Sequence, residues 1–489
     1  MRINNHKITS TALTNKRILI VLFLVISASV WAWDWWPLPM AQPDTCRDSL
    51  YYVGGVSGTF SSGEQAPSLL WHNSDGNIAL HPHSGNIALG IIKPATRPNR
   101  WFDYDFGVVL TGRVSGSQRS MPSPEIKGTG YFNELYAHVR LYIVDITAGI
   151  HPWRTNPGDD ELTSGSLLFS GNAHPIPHIS IGLDHWTPFP GLFGYVEVRG
   201  GLTHGWLGDN SEVVKGTLLH YKFFGAQLGG KLPINASYEF HHVAQWGGYS
   251  SKYGDLGNDF TAWKNAFLVR SGGSMANDQL NAQGNHIGMQ QLALTAKGQG
   301  WKVTAYWQCL SEDGPIHFMC YGRNQKDGLW GVNMTQSHWP FISGFTYEFI
   351  HTTDQAGPWH DRDGVVYGGA DGYYSNSIYR QGWSYYGRII GNPLLSLTNN
   401  RVRAHYVGLK GDIYGFQYRA IVCHAQNYGR YGAPAYSENT AVRLDVKKHV
   451  EQAWGLDFGV SLSGDFGTQY GNTFGAMVTI SKKGLIKQW

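Results

Sequence analysis

The stretch SGSLLFSGNAHPIPHISIGLDHW, residues 164–186, sets His174, His178 and His185 within twelve positions, beside Asp184 and Trp186. Imidazoles next to a carboxylate are the ingredients of a metal site or an acid–base centre. The spacing decides against both. His174 and His178 are four apart, which on a helix would give one face, but Pro175 and Pro177 forbid a regular helix there. In an extended chain the two rings stand roughly 13 Å apart, too far for joint ligation. Extended backbone puts His178, Ser180, Gly182 and Asp184 on one face and Ile179, Ile181, Leu183 and His185 on the other. With the aliphatics facing lipid, His178 and Asp184 line an interior and His185 lies near its periplasmic rim.

Other chemistry is equally thin. The acidic run GDDEL (158–162) could hold Ca²⁺, but reads first as a solvated loop. A Ser-His-Asp set can always be assembled from 21 histidines, yet neither G-x-S-x-G nor H-E-x-x-H occurs. The expectation is a protein without catalysis, metal or cofactor. A net charge of +3 without a long Lys/Arg run also removes the electrostatic footprint of a nucleic-acid binder.

The elements that position these residues follow from composition and period. Charged residues make up 15% of the 489, aromatics 14%, and 62 glycines show no collagen-like repeat. The N-terminus carries Arg2, Lys7, Lys16 and Arg17, then the apolar run ILIVLFLVISASVWA (18–32), which reads as a secretory signal peptide over 1–32. Cys46, Cys309, Cys320 and Cys423 then meet an oxidising compartment. Cys309 and Cys320, which flank a loop of ten residues, are the candidate disulfide.

Period-2 alternation runs through most of the remainder. AHVRLYIVD (137–145) divides Val139, Leu141 and Ile143 from His138, Arg140 and Tyr142, within one strand over 135–149. LLHYKFF (218–224) divides Leu219, Tyr221 and Phe223 from His220 and Lys222. Short turns such as KGQG (297–300) and GDIYG (411–415) alternate with long connections at 206–217, 247–285, 310–328, 353–401 and 425–440. That asymmetry belongs to outer-membrane barrels, with short periplasmic turns and long outer loops. Aromatics near strand ends, Trp301, Trp307, Trp330, Trp339 and Trp454, suit interfacial girdles. The fold class is therefore all-β: one antiparallel transmembrane β-barrel over 33–489, of about 18 strands, with long extracellular or lumen-folded loops. Inward positions include Arg140, Glu197, Arg199, Lys222, Lys302, Glu348, Arg403, Arg419, Arg443 and Asp445; charges of both signs predict an ion-paired, plugged lumen. Residues 63–80, apolar without clean alternation, are the candidate plug segment.

Seven stretches in order carry a resemblance: SSGEQAP (61–67), SGSLLFSGNAHPIPHISIGL (164–183), HHVAQWGG (241–248), DGLWGVNM (327–334), YEFIHTTDQAGPWHD (347–361), GWSYYGRIIGNPLL (382–395) and RVRAHYVGLKG (401–411). From about residue 50 to the end the chain resembles the Wzi family of outer-membrane capsule-assembly proteins, in the branch common in Bacteroidetes-type bacteria. The resemblance implies an 18-stranded plugged barrel that acts as a lectin, tethering capsular or other surface polysaccharide, with outer-membrane lipid as its surroundings. The chain is expected to act as a monomer. A porin for oligosaccharides is the alternative, and a barrel hydrolase the third reading.

A surface lectin presents aromatic faces to sugar rings and amides, carboxylates and guanidinia to hydroxyl or uronate groups. The outer loops offer Trp359, His360, Asp361, Arg362, Tyr373, Tyr374 and Trp383 in one connection, and Tyr428 and Arg430 in the next. Arg388 could meet an acidic sugar or a buried carboxylate. The competing expectation is that these loops fold inward and seal the mouth with their rings.

Overall fold

The computed structural model describes residues 47–96, 101–117, 125–208, 213–272, 283–312, 324–362 and 365–489. Residues 1–32, expected to be a signal peptide, and Cys46 lie outside them. Eighteen strands form one antiparallel sheet. In chain order these are β1 (Ser49–Ser61), β2 (His83–Lys93), β3 (Phe102–Ser117), β4 (Glu125–Leu141), β5 (Val144–Ile150) and β6 (Pro177–Pro188). Then come β7 (Val196–Gly208), β8 (Thr217–Leu228), β9 (Ile234–Trp246), β10 (Asn285–Gly298), β11 (Trp301–Ser311) and β12 (Gly328–Gln336). The last are β13 (Gly344–His351), β14 (Val402–Ile413), β15 (Phe416–Arg430), β16 (Ala433–Val450), β17 (Leu456–Gly467) and β18 (Thr473–Gln488). Each pairs with its sequence neighbour, and β18 closes onto β1 from Gln488↔Ser49 to Gly475↔Ser61. Closure leaves no strand edge, the condition for crossing hydrocarbon with β structure. Trp489 completes the seam, its N–H donating to the Asp48 carbonyl at 3.0 Å.

The outward face is the lipid solvent's. Ile87, Leu89, Leu110, Ile181, Leu294 and Val478 point outward and are exposed, as a bilayer-facing wall requires. Trp101, Trp301, Trp339, Tyr414 and Trp454 are exposed at the short-turn end and form its aromatic girdle.

Four expectations are corrected. The strand expected over 135–149 is two, β4 and β5, because Tyr142 turns the chain with a left-handed φ of 61° and donates its N–H to Trp101; period-2 alternation passes through a two-residue turn unchanged. The long loop expected at 425–440 is a hairpin, with Arg430 paired to Ala433, so β15 and β16 rise beyond the lipid. Lys222 points outward, while Leu219, Tyr221 and Phe223 point into the lumen, where an apolar plug waits for them. Arg403 is also outward and exposed, since Val402, Ala404 and Tyr406 are the buried partners of the lumen core. In both strands the polar residues lie high on the wall, where outside means water or another loop rather than lipid.

Candidate functional site: the sealed lumen and its outer mouth

Three connections from the long-loop end fold into the barrel: 62–82, 151–176 and 352–401. The stretch that opened the question supplies the centre. Leu167, Leu168 and Phe169 are buried with Tyr221, Val243, Ile287, Met289, Tyr306, Tyr374, Trp383 and Leu395 in one apolar cluster. Backbone inside such a cluster needs partners, since an orphaned polar group costs about 1–3 kcal/mol. Trp383 Nε1 donates to Leu168 O at 2.8 Å, Tyr374 Oη to Leu167 O at 2.5 Å, and Leu167 N to Gln308 Oε1 at 3.0 Å. Glu348, on β13, accepts from Thr163 Oγ1 and Ser164 N, both at 2.7 Å, and from Tyr306 Oη at 2.5 Å. Asp327 does the same for the other loop, accepting from Asp354 N, Gln355 N and Tyr373 Oη at 2.7–2.9 Å.

Residues 62–82, the segment expected to plug the barrel, contain the single-turn helix α1 (Ser68–Trp71), buried inside the barrel. Guanidinium groups hold its carbonyls. Arg443 donates to Leu69 O at 2.5 Å, Arg388 to Trp71 O at 3.2 Å and to Ile78 O, and Arg113 to Gly76 O at 2.8 Å. Gly76, at φ +70°, lies against the His174 ring, where an added Cβ would stand 2.8 Å from ring atoms. Burial pushes the His72 imidazole down to about 3 and that of His174 to about 4, with Arg388 adding to both and Arg443 and Arg113 to one each. Burial also lowers Arg388 to about 10, so it stays charged at neutral pH. Next to α1 lies a cavity of about 240 Å³ lined by His72, Asn73, Asn77, Asp160, Arg419 and Arg443, among others.

The short-turn half of the lumen is built differently. Asp145 is 1% exposed and accepts from Arg140 Nε at 2.7 Å, with His138 Nε2 at 3.0 Å; His138 Nδ1 meets Asp105 at 2.5 Å. His185 stands beside Arg140 at 2.8 Å, on a rim where its side chain is 70% exposed. His138, Asp145 and Asp184 bring possible ligand atoms within 4.8 Å of one another, the one such grouping among the described residues. Arg140 already supplies the positive charge that a cation would bring. Arg199–Glu239 and Arg419–Asp445 (2.7 Å) continue the pattern, and Lys410 pairs Asp159 at 2.7 Å and Glu161 at 2.5 Å, which accounts for the GDDEL run.

The lectin candidates divide sharply. Tyr373, Tyr374 and Trp383 are at most 1% exposed and anchor the plug, so their faces are spent on the protein. Arg388 meets no carboxylate among the described residues; it holds backbone, donating to Trp71 O and Ile78 O. Trp359 is 66% exposed, Arg430 is exposed, and Tyr428 is half-buried at the mouth. His360, Asp361 and Arg362 form a short strand paired with Val365–Gly368 beside it. Sequence reasoning singled out Tyr431 beside Tyr428 and Arg430, but missed Arg401 and Tyr436 and placed Arg403 inward, so the neighbours that complete this rim were not recognised. Arg401 stacks over Tyr431 at 4.1 Å, Arg403 lies 5.8 Å over Tyr428, and Tyr428 meets Tyr436 edge-on at 5.6 Å. The signal available was Arg and Tyr on facing strands β14, β15 and β16. Cys309 is a free, buried thiol donating to Asn324 O at 3.0 Å, and Cys320 lies outside the described residues.

No family model matches the chain, and no curated protein matches it. Among solved structures it is similar to Wzi, an outer membrane protein involved in group 1 capsule assembly in Escherichia coli and a carbohydrate-binding β-barrel. The TM-score is 0.56 at 15% identity, over 88% of this chain and 84% of that one. OccK7 (OpdD) of Pseudomonas aeruginosa aligns at a TM-score of 0.47 and 9% identity, over 90% of this chain and 100% of that one. The fold is that of an outer-membrane β-barrel.

Proposed function

We propose that this chain, exported to the outer membrane, binds capsular or other surface polysaccharide at its outer mouth and holds it on the cell, as a monomer and without catalysis. The observation that carries the reading is the packed lumen: a barrel filled by Leu167, Leu168, Phe169, Trp383 and their partners has its ligand surface at the rim, not along a conduit. The rim offers Trp359, Tyr428 and Tyr436 as ring platforms and Arg403 and Arg430 as cations, the set that a glycan with acidic sugars uses. The carbohydrate binding of the similar Escherichia coli barrel supports the same direction.

Deleting the gene, imaging the capsule and assaying shed polysaccharide tests the role directly. Loss of surface polysaccharide to the medium is expected, and full retention would overturn the reading. Planar-bilayer recording separates it from a porin: the expected trace is closed, and stable large open steps would favour transport instead.

A further inference from the structure

The outer wall of β8, β9 and β10 carries a polar patch where a lipid-facing barrel should carry none. His220, Lys222, His242 and His286 all point away from the lumen, and Lys222 pairs with His242 and Ala244 with both His220 and His286 in register. A helix from the long connection, α2 (Phe260–Leu268), covers them. Asp259 caps it, accepting from Ala262 N at 2.8 Å. Ala262 and Ala266, small enough for close approach, pack on Ala244 and Trp246. Phe267 reaches His220, with ring centres 5.0 Å apart, and Lys222 lies 4.3 Å over the Phe267 ring while donating to its carbonyl.

The depth of this helix follows from register. Two residues below Lys222 on the same face is Phe224, 55% exposed, and β10, two strands along, carries exposed Leu292 and Leu294. Two strand residues span roughly 7 Å, so the lower edge of α2 sits at the top of the lipid belt. Opposite Ala262 and Ala266 on a 3.6-residue helix stand Phe260, Lys264 and Leu268, with Arg270 just past the end; Phe260 is 72% and Leu268 38% exposed, and both cations are exposed. Apolar rings and aliphatics interleaved with cations at this level are the composition of an interfacial helix. The nearby carboxylates of Asp255 and Asp259 are exposed but each is engaged by a backbone N–H of its own segment, Asp255 accepting from Gly257 N and Asp259 from Ala262 N, and neither lies on the Phe260–Lys264–Leu268 face.

We infer that the exposed face of α2, through Phe260, Lys264, Leu268 and Arg270, docks the headgroup and upper acyl region of an anionic, phosphate-bearing lipid of the outer leaflet. The inference depends on the barrel lying in the outer membrane and is independent of polysaccharide at the mouth. The test uses the full-length protein in detergent, lipid A with two phosphates as probe and phosphatidylcholine as the neutral comparison, with retained lipid counted by native mass spectrometry. Lipid A is expected to be retained several-fold better, in a salt-sensitive way. The triple variant F260S/K264Q/R270Q is expected to lose that preference, and Lys302→Gln at the opposite rim to keep it. Equal retention of the two lipids, retention that ignores salt, or a folded triple variant that binds lipid A like the parent would each overturn the proposal. Heat-modifiability on gels reports whether the variant is folded. Polysaccharide retention by the same variant should be unchanged, so failure of either reading is seen separately.

Discussion

The two halves of the lumen are closed by opposite means. The outer half is filled with loop side chains packed as in a soluble core, with Trp383, Tyr374 and Leu167 fully buried. The half towards the short turns is braced by Arg140, Asp145, His138, Arg199 and Glu239, half-open to water. Loops that enter from outside are long and bring apolar rings that must be covered. Strand ends bring charges in register, which neutralise one another across neighbouring strands. Apolar packing decides whether the barrel is sealed, and the ion pairs decide only how its wall is held.

The comparison breaks most visibly at Trp383. Trp383→Ala removes a buried ring and the donor to Leu168 O, and should cost the plug about 3–5 kcal/mol; limited proteolysis within 352–401 and the appearance of bilayer conductance would report it. Acidification is next. His72 and His174 titrate lower folded than unfolded, so the unfolded chain binds more protons between the usual imidazole range and about 4, and stability falls as pH drops through that window. From pH 7 to 4.5 the loss is about 2 kcal/mol for His174 alone, read as earlier proteolysis or opening of the plug. Both rings should act together, since Arg388 faces each.

Asp145→Asn tests the other half. It weakens the contacts of Arg140 and His138 at a partly wet site, so about 1–2 kcal/mol is expected in thermal unfolding of the barrel, with the plug still closed to current. A conducting Asp145→Asn barrel would show that the charges seal as well as brace. Smallest in stability is Trp359→Ala, within about 0.5 kcal/mol because the ring is exposed. Its expected effect is on polysaccharide retention, measured in binding or shedding assays on cells.

Much of the wall was legible because a barrel strand obeys one rule for its whole length. Alternation and the short-long rhythm of connections place the short turns KGQG and GDIYG where β10 meets β11 and β14 meets β15, and also give the lipid side of Ile179 and Ile181. The missed turn at Tyr142 and the inverted faces of Lys222 and Arg403 share a cause: alternation reports two faces and is silent on what lies against each. The candidate site was legible only as a pool. Trp359 and Trp383 sit in one connection with the same chemistry, and only the fold separates an exposed platform from a buried anchor.

By itself the sequence determined an antiparallel wall of transmembrane strands, that one end carries short turns and the other long connections, and that the interior carries paired charges. These follow from local periodicity and from the need to satisfy every backbone group in lipid. Only the tertiary structure decided that SGSLLFSGNAHP becomes the centre of a plug, that Arg388 binds carbonyls, and that α2 shields a polar outer wall. Each depends on contacts between segments far apart in sequence, where burial is a property of the partner and not of the residue.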